Sequence, residues 1–371
     1  MAPLEGVKVV ELARILAGPW AGQVLADLGA EVIKVEAPEG DDTRRWGPPF
    51  IAREGDGPEG RSAAYFHATN RGKISVVADF RTEEGQKIVR DLVKDADVVI
   101  ENFKLGGLKK YGLDYESLSA INPRLVYCSI TGFGQDGPYA SRAGYDFLIQ
   151  GMAGWMDLTG DPQGQPQKVG VAFADIFTGL YAVIGIQAAL AARARTGRGQ
   201  MVDMALLDCA VGVLANQGMN FLATGNAPHR LGNAHPNIAP YEVVSAKDDD
   251  LILAVGNDGQ FKRLCEVLDL DLAANPDFAT NEARVANRAA MRETLLPALA
   301  QWPRADLLAA LEKATVPAGP INSVDQVFAD PQVEARGMRI EAEGIPGIRT
   351  PIRFSDTPLA DPKPAPKLQA D

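Results

Sequence analysis

Short apolar runs alternate with longer helical patterns through the first 130 residues. Residues 6–12 and 31–36 are rich in Val, Ile and Leu and predict strands, and residues 17–28 between them predict a helix. Pro19 stands near the start of that helix and Gly29 follows its end, as is usual at helix termini. A strand, a helix and a strand within about 30 residues form a βαβ unit, so the pattern predicts a parallel sheet.

The same alternation continues after residue 70. Strands are predicted over 73–79, 98–101 and 125–130, and a helix over 82–94. The turn after the first strand reads Leu16-Ala-Gly-Pro and lacks the G-x-G-x-x-G spacing of dinucleotide-binding folds. The pattern therefore favours an α/β sheet and argues against a dinucleotide ligand.

Polar side chains follow three of the predicted strands at their carboxyl ends, where open α/β sheets bind ligands. They comprise one amide and four cations: Asn102, Lys104, Lys109, Lys110 and Arg142. Taken singly, each lysine is best interpreted as a solvated loop charge. Their convergence on one edge of the sheet predicts an anion-binding site.

The longest apolar segment, 176–192, is preceded by one acidic residue, Asp175, and followed by Arg193 and Arg195. It predicts one core helix of about 17 residues, a little short for a membrane span. Asp175 is either the N-cap of this helix or a carboxylate at the floor of a pocket, able to attack a carbonyl carbon. Spacing alone leaves both interpretations open.

The pattern changes in the second half of the chain. Two short strands are predicted over 241–246 and 250–255, followed by three helical patterns, and a few strands return over 331–354. The Pro-rich tail after residue 360 is predicted to be non-helical and exposed. The predicted organisation is a large domain beginning at 1–220, a small domain at 221–325, and a return to the large domain over 326–371.

Composition narrows the class of protein. The net charge of −11, without a long basic run, argues against a nucleic-acid partner. The three cysteines and three histidines are far apart, which predicts neither a disulfide framework nor a metal site. The N-terminal residues have neither the basic flank nor the apolar region of a secretory signal, so we expect a cytoplasmic protein without a membrane partner.

An ordered set of short motifs resembles the family III CoA-transferases over nearly the whole length. The motifs are Val7-Lys-Val-Val-Glu-Leu, Leu16-Ala-Gly-Pro, Asp27-Leu-Gly-Ala-Glu-Val-Ile-Lys-Val-Glu, Val99-Ile-Glu-Asn-Phe, Ile130-Thr-Gly-Phe-Gly, Ala143-Gly-Tyr-Asp and Thr196-Gly-Arg-Gly-Gln. The resemblance implies a large Rossmann-like parallel-sheet domain, a smaller α+β domain and an interlocked homodimer. It also implies that coenzyme A thioesters are substrates and that no cofactor is permanently bound.

The resemblance assigns roles to particular residues. It implies that Asp175 is the nucleophile that attacks an acyl-CoA and carries CoA as an aspartyl thioester. It also implies a CoA-binding set: Ile15, Leu16, Ala78, Arg81, Asn102, Phe103, Lys104, Lys110, Arg142, Tyr145 and Asp146. Ala37 stands where formyl-CoA transferase has an Arg, so one adenine contact of that enzyme is missing here.

Loops 40–50 and 232–241 resemble the succinate–hydroxymethylglutarate type. This implies succinyl-CoA as donor and a dicarboxylate as acceptor, with Arg44, Arg45 and His235 as candidates for binding the distal carboxylate. Two alternatives stay open: an acyl-CoA racemase or isomerase, and a non-catalytic acyl-CoA-binding protein. Racemases of the family have a His where this chain has Tyr145, and a phenol, which ordinarily ionises near pH 10, is a poor base at neutral pH.

Overall fold

The computed structural model describes residues 1–368, and contacts divide the chain into two units. The large unit comprises Met1–Trp155, Lys168–Asn226 and the chain from Pro331 onward. The small unit comprises Met156–Gln167 and Ala227–Asp330. The short segment of residues 156–167 belongs to the small unit although it lies far from the rest of that unit in sequence.

Thirteen strands are present in the described residues. In chain order they are β1 (Lys8–Glu11), β2 (Glu31–Glu36), β3 (Phe50–Ala52), β4 (Arg61–Ala63), β5 (Ile74–Val77), β6 (Val98–Glu101), β7 (Val126–Thr131), β8 (Met201–Ala205), β9 (Tyr241–Ser245), β10 (Asp250–Ala254), β11 (Ala318–Pro320), β12 (Arg339–Ala342) and β13 (Ile345–Ile348).

Fifteen α-helices lie in the same part of the chain. They are α1 (Ala17–Asp27), α2 (Ala64–Thr69), α3 (Glu83–Val93), α4 (Tyr115–Ile121), α5 (Asp146–Met152), α6 (Trp155–Leu158), α7 (Phe173–Thr196), α8 (Leu206–Gly212), α9 (Ala215–Thr224), α10 (Asp258–Leu268), α11 (Asn281–Ala286), α12 (Arg288–Leu299), α13 (Arg304–Lys313), α14 (Val324–Phe328) and α15 (Pro331–Ala335).

The large unit is built on a six-stranded parallel sheet in the order β5-β2-β1-β6-β7-β8. From β1 the chain proceeds outward through β2 to β5, and it then returns to β6 and proceeds the other way. The strand order therefore reverses between β1 and β6, where Val9 pairs with Val98. Ligands of doubly wound sheets bind beyond the carboxyl ends of the strands at such a point.

Helices cover both faces of this sheet, which explains why its strands are almost continuously apolar. One face carries α1 and α7, whose buried residues include Leu25 and Ile186. The other face carries α3 and α4, with Val89 and Leu118 fully buried. The predicted α/β class with a parallel sheet is confirmed.

Helix α7 has 24 residues, longer than predicted, and ends at Gly197, whose φ of 73° is left-handed. By length and composition it could cross a membrane, although core helices of soluble proteins pass the same test. Part of it is buried, as at Ala182 and Ile186, and part is exposed, as at Tyr181 and Ile184.

The small unit packs helices α10 to α13 on the antiparallel sheet β11-β10-β9. Its core includes Leu253, Phe261 and Leu295, each almost completely buried. Arg230 ties the distant segment 156–167 to this unit, because its guanidinium binds the carboxylate of Asp157 at 2.9 Å. The two predicted strands at the start of this region, now β9 and β10, are confirmed.

Two expectations about the chain after residue 205 are wrong, the second only in part. The apolar run of residues 206–222, whose sequence predicts one helix, is broken into α8 and α9, with a φ of 45° at Ala215. The Pro-rich tail is not helical, as predicted, but the expectation that it is exposed is wrong in part: residues 361–363 and Lys367 are exposed, whereas Ala365 and Leu368 are buried. It docks in extended form, and Arg44 and Arg53 donate to the carbonyls of Pro366 and Ala365.

Candidate active site

A cavity of about 430 Å³ opens at the carboxyl ends of β1, β6 and β7, at the strand reversal. Its walls come from the segments that directly follow these strands and from the start of α7. Nine predicted residues line it together: Ile15, Leu16, Asn102, Phe103, Lys104, Lys110, Arg142, Tyr145 and Asp175. The structure thus gathers most of the predicted binding set around the predicted nucleophile.

A second cavity of about 260 Å³ lies alongside and shares the ring of Phe103 with the first. Ala37, Ala78 and Arg81 line this second cavity. Arg81 is exposed, and its guanidinium pairs with the carboxylate of Asp79 at 2.8 Å. Two further residues of the predicted binding set, Ala78 and Arg81, therefore belong to an adjoining space.

Asp175 is the third residue of α7 and does not cap it. The capping carboxylate belongs to Asp146, whose Oδ1 accepts hydrogen bonds from the backbone N–H groups of Ala174 and Asp175, at 2.8 and 3.3 Å. Within residues 1–368 the carboxylate of Asp175 accepts no hydrogen bond. The cap interpretation of Asp175 is wrong, and its oxygens are left for other chemistry.

The electrostatic surroundings of Asp175 are unusual for a carboxylate. Burial, and then the negative charge of Asp146, raise the pKa of Asp175 to about 7. Asp146 is held in place by Gln150, whose Nε2 donates to its Oδ2 at 2.7 Å. The amide oxygen of Gln150 in turn accepts from the N–H of Val169. Perturbed carboxyls in clefts are candidates for catalytic groups.

Cations surround the outer part of the cavity. Lys104 is exposed on its wall, and the ammonium of Lys110 lies 4.6 Å from the ring centre of Tyr111. The guanidinium of Arg142 lies 4.4 Å from the ring centre of Tyr139. Three exposed cations on one cavity can bind phosphate oxygens, by charge and, for Arg142, by a bidentate pair.

Sequence reasoning missed Arg14, which also lines the cavity. Its guanidinium lies over the ring of Phe103 at 5.4 Å and pairs with Asp42 at 3.1 Å. The sequence position of Arg14 could have indicated this role, because it lies in the loop directly after β1, at the ligand-binding edge of the sheet.

Tyr65 on α2 was missed as well. Burial, and then the charges of Asp175 and Asp146, raise the pKa of Tyr65 to about 12. Its ring packs edge-on against Trp46 at 5.4 Å. No local motif distinguishes Tyr65 in the sequence.

Arg44 is not placed as the sequence suggested. It does not line the cavity that holds Asp175, its side chain is only 6% exposed, and it pairs with Glu36 at 2.7 Å and Asp56 at 2.9 Å. Its guanidinium also stacks on Phe66 at 3.7 Å. This geometry favours a structural role, because every nitrogen of the guanidinium is already hydrogen-bonded.

His235 lies in the small unit, with its ring edge-on to Tyr241 at 5.3 Å. Its Nδ1 accepts the N–H of Asn237 at 3.0 Å, so the proton of the neutral ring is on Nε2. Burial, and then Arg288, lower the pKa of His235. At neutral pH His235 therefore offers an N–H donor instead of a positive charge.

Comparison with known proteins identifies the class. The family model described as CoA-transferase family III matches residues 4–371. The succinate–glutarate CoA-transferase of Agrobacterium fabrum is 62% identical, with 99% of this chain and 93% of that protein aligned. The human succinyl-CoA:glutarate CoA-transferase is 40% identical, over 99% of this chain and 83% of that protein.

A crystal structure of a CaiB/BaiF family protein from Brucella suis superposes with a TM-score of 0.89 at 68% identity, covering 99% of this chain and 97% of that one. The chain belongs to CoA-transferase family III. The predicted family, and the prediction of an acyl-CoA:carboxylate CoA-transferase, are confirmed.

Proposed function

We propose that this enzyme moves CoA from succinyl-CoA to a dicarboxylic acid, with glutarate the first candidate acceptor. The observation that carries the proposal is Asp175, a half-buried carboxylate without a hydrogen-bond donor in the described chain, in a cavity edged by cations. The names of two relatives, at 62% and 40% identity, support the choice of succinate and glutarate.

In the proposed mechanism the Asp175 carboxylate attacks the thioester carbonyl of succinyl-CoA. The C–S bond breaks, which gives an aspartyl–succinyl anhydride and a CoA thiolate. The thiolate then attacks the aspartyl carbonyl, releasing succinate and leaving an aspartyl–CoA thioester.

The acceptor completes the cycle by the same chemistry in reverse order. A glutarate carboxylate attacks the aspartyl thioester, which expels the CoA thiolate and forms an aspartyl–glutaryl anhydride. The thiolate attacks the glutaryl carbonyl, giving glutaryl-CoA and regenerating the carboxylate of Asp175. No water is consumed and no net proton is moved, so the protein must mainly position the reactants and exclude water.

The cavity residues fit separate parts of this task. Lys104, Lys110 and Arg142 are proposed to hold the CoA phosphates, and Phe103 the adenine or the pantetheine arm. Asp146 is proposed to cap α7 and set the ionisation of Asp175. The racemase alternative needs a base beside the α-carbon, and Tyr145 occupies the position where that branch has a His.

The rate of CoA-adduct formation should rise with pH through about 7, because only ionised Asp175 attacks and burial raises its pKa to about 7. Asp146→Asn should move this midpoint to lower pH, since it removes the neighbouring negative charge while Asn can still cap the helix. Single-turnover rates between pH 5.5 and 9 measure both profiles. A midpoint that stays in place or moves upward in Asp146→Asn would contradict this assignment.

Glutarate should be used at least about 100-fold better than pentanoate, measured as kcat/KM with succinyl-CoA as donor. Pentanoate has the same chain length but lacks the distal carboxylate, and a buried polar partner left unpaired costs a few kcal/mol. Equal use of glutarate, pentanoate, formate and carnitine would overturn the dicarboxylate assignment and leave CoA transfer itself untouched.

We also propose that the enzyme is an interlocked homodimer. The large unit exposes apolar side chains on α7 and α9, including Ile184 at 61%, Met219 at 61% and Leu222 at 74%. Exposed apolar surface of this kind is typical of a protein–protein interface. Sedimentation at nanomolar concentration should give twice the chain mass, because an interlocked interface far exceeds the standard size. A monomer under these conditions would refute the dimer.

A further inference from the structure

The loop that joins β1 to α1 contains a strained residue at the edge of the main cavity. Ile15 has a φ of 73°, in the left-handed region. A β-branched residue adopts this region rarely, because its Cβ substituents crowd the backbone. Such a conformation persists only when its surroundings hold it, and strained residues cluster at functional sites.

Side chains from three other segments hold this loop by its backbone. Asn102 uses both ends of its amide on Arg14: its Oδ1 accepts the N–H at 2.9 Å and its Nδ2 donates to the carbonyl at 2.7 Å. Asp41 Oδ2 accepts the N–H of Ile15 at 3.3 Å. Lys34 Nζ donates to the carbonyl of Ala13 at 2.9 Å. Four backbone groups of three consecutive residues are therefore fixed.

Asp41 is itself immobilised. It is 2% exposed, pairs with Lys34 at 2.9 Å, and its Oδ1 accepts the N–H and the hydroxyl of Thr43. Burial would raise the pKa of Asp41, but Lys34 and Thr43 lower it to about 2, so the carboxylate is ionised. The backbone N–H of Asp41 is held by Glu36 at 2.8 Å. Asp41 thus presents a rigid, negatively charged hydrogen-bond acceptor to the loop that contains Ile15.

We propose that Asn102 and Asp41 are positioning residues that hold Ile15 in its left-handed conformation, and that this conformation sets the affinity for CoA. Ile15 and Leu16 line the cavity with Asp175, so the backbone at Ile15 decides where this wall lies. Asn102 acts through Arg14 and Ile15, because both the oxygen and the nitrogen of its amide bond the backbone of Arg14. The proposal rests on the proposed function, since it assumes that CoA occupies this cavity.

Asn102→Ala should raise the dissociation constant of CoA about tenfold, within the range of coupling between contacting residues, and change kcat less than about threefold. Asp41→Asn should act in the same direction. Asp91→Asn, the same chemical change at an exposed residue, should leave both values unchanged. Calorimetric titration with CoA and steady-state rates give the two readouts, and the melting temperature identifies a variant that fails to fold.

A double-mutant cycle with Ile15→Gly distinguishes a positioning role of Asn102 from a general loss of structure. Glycine adopts positive φ freely, so residue 15 no longer needs the hydrogen bonds of Asn102 and Asp41 to keep this conformation. In the Ile15→Gly background, Asn102→Ala should raise the CoA dissociation constant less than about threefold. The same factor in both backgrounds, or a loss of kcat with unchanged CoA binding, would overturn the proposal. Failure of the unaltered enzyme to transfer CoA would instead refute the proposed function, because the CoA-binding cycle does not depend on turnover.

Discussion

Asp175→Ala is expected to lower the rate of CoA transfer by at least about 10⁴-fold, the scale seen when a covalent nucleophile is removed. The physical reason is that every step of the proposed mechanism forms or breaks a bond at this carboxylate. CoA binding should survive, because the cations that edge the cavity are untouched. Transfer rates and CoA titration of the variant check both parts.

Asp208→Ala is the matched control for this substitution. Asp208 is also the third residue of its helix, α8, but it is exposed. Its replacement should leave transfer within about twofold of the unaltered enzyme, as is usual for surface changes. Comparable losses in the two variants would mean that helix-end charge, not nucleophilic attack, explains the effect.

Arg44→Met is expected to lower the free energy of unfolding by about 3–5 kcal/mol. The substitution leaves the buried carboxylates of Glu36 and Asp56 without their cation, which is the costly way to break a buried ion pair. Loss of the hydrogen bond to the Pro366 carbonyl should also loosen the docked tail. Urea unfolding followed by circular dichroism measures the change.

Arg45→Met provides the comparison at the neighbouring residue. The side chain of Arg45 is 59% exposed and pairs with Asp42 at 3.3 Å, so its removal should cost less than about 1 kcal/mol. If Arg44→Met left stability unchanged and raised only the KM for dicarboxylates, Arg44 would bind substrate, as the sequence suggested, and the structural role would be wrong.

Five strands of the large sheet could be predicted to within about two residues at each end. The predicted limits 31–36 and 98–101 are those observed, because strands covered on both faces are continuous apolar runs bounded by turns. The gathering of Asn102, Lys104 and Arg142 at one edge also followed, because parallel strands end on the same side.

The predictions that failed concern residues whose structural partners lie elsewhere in the sequence. The group that caps α7 is Asp146, 29 residues before Asp175, and nothing local to the helix marks it. Arg44 resembled a loop cation, but its partners Glu36 and Asp56 bury it once the hairpin β3–β4 folds back. The Pro-rich sequence of the tail is typical of a solvated segment. Its pattern does not show that Arg44 and Arg53 donate hydrogen bonds to the carbonyls of the tail.

Peptide mass spectrometry after incubation with succinyl-CoA tests the central claim most directly. Trypsin should release residues 169–193, in which Asp175 is the only acidic residue, so a modified carboxyl in this peptide is assigned without ambiguity. We expect a CoA thioester on this peptide that hydroxylamine removes and that Asp175→Ala abolishes. An enzyme that transfers CoA while this peptide stays unmodified, with the adduct on another residue or on none, would contradict Asp175 as the nucleophile.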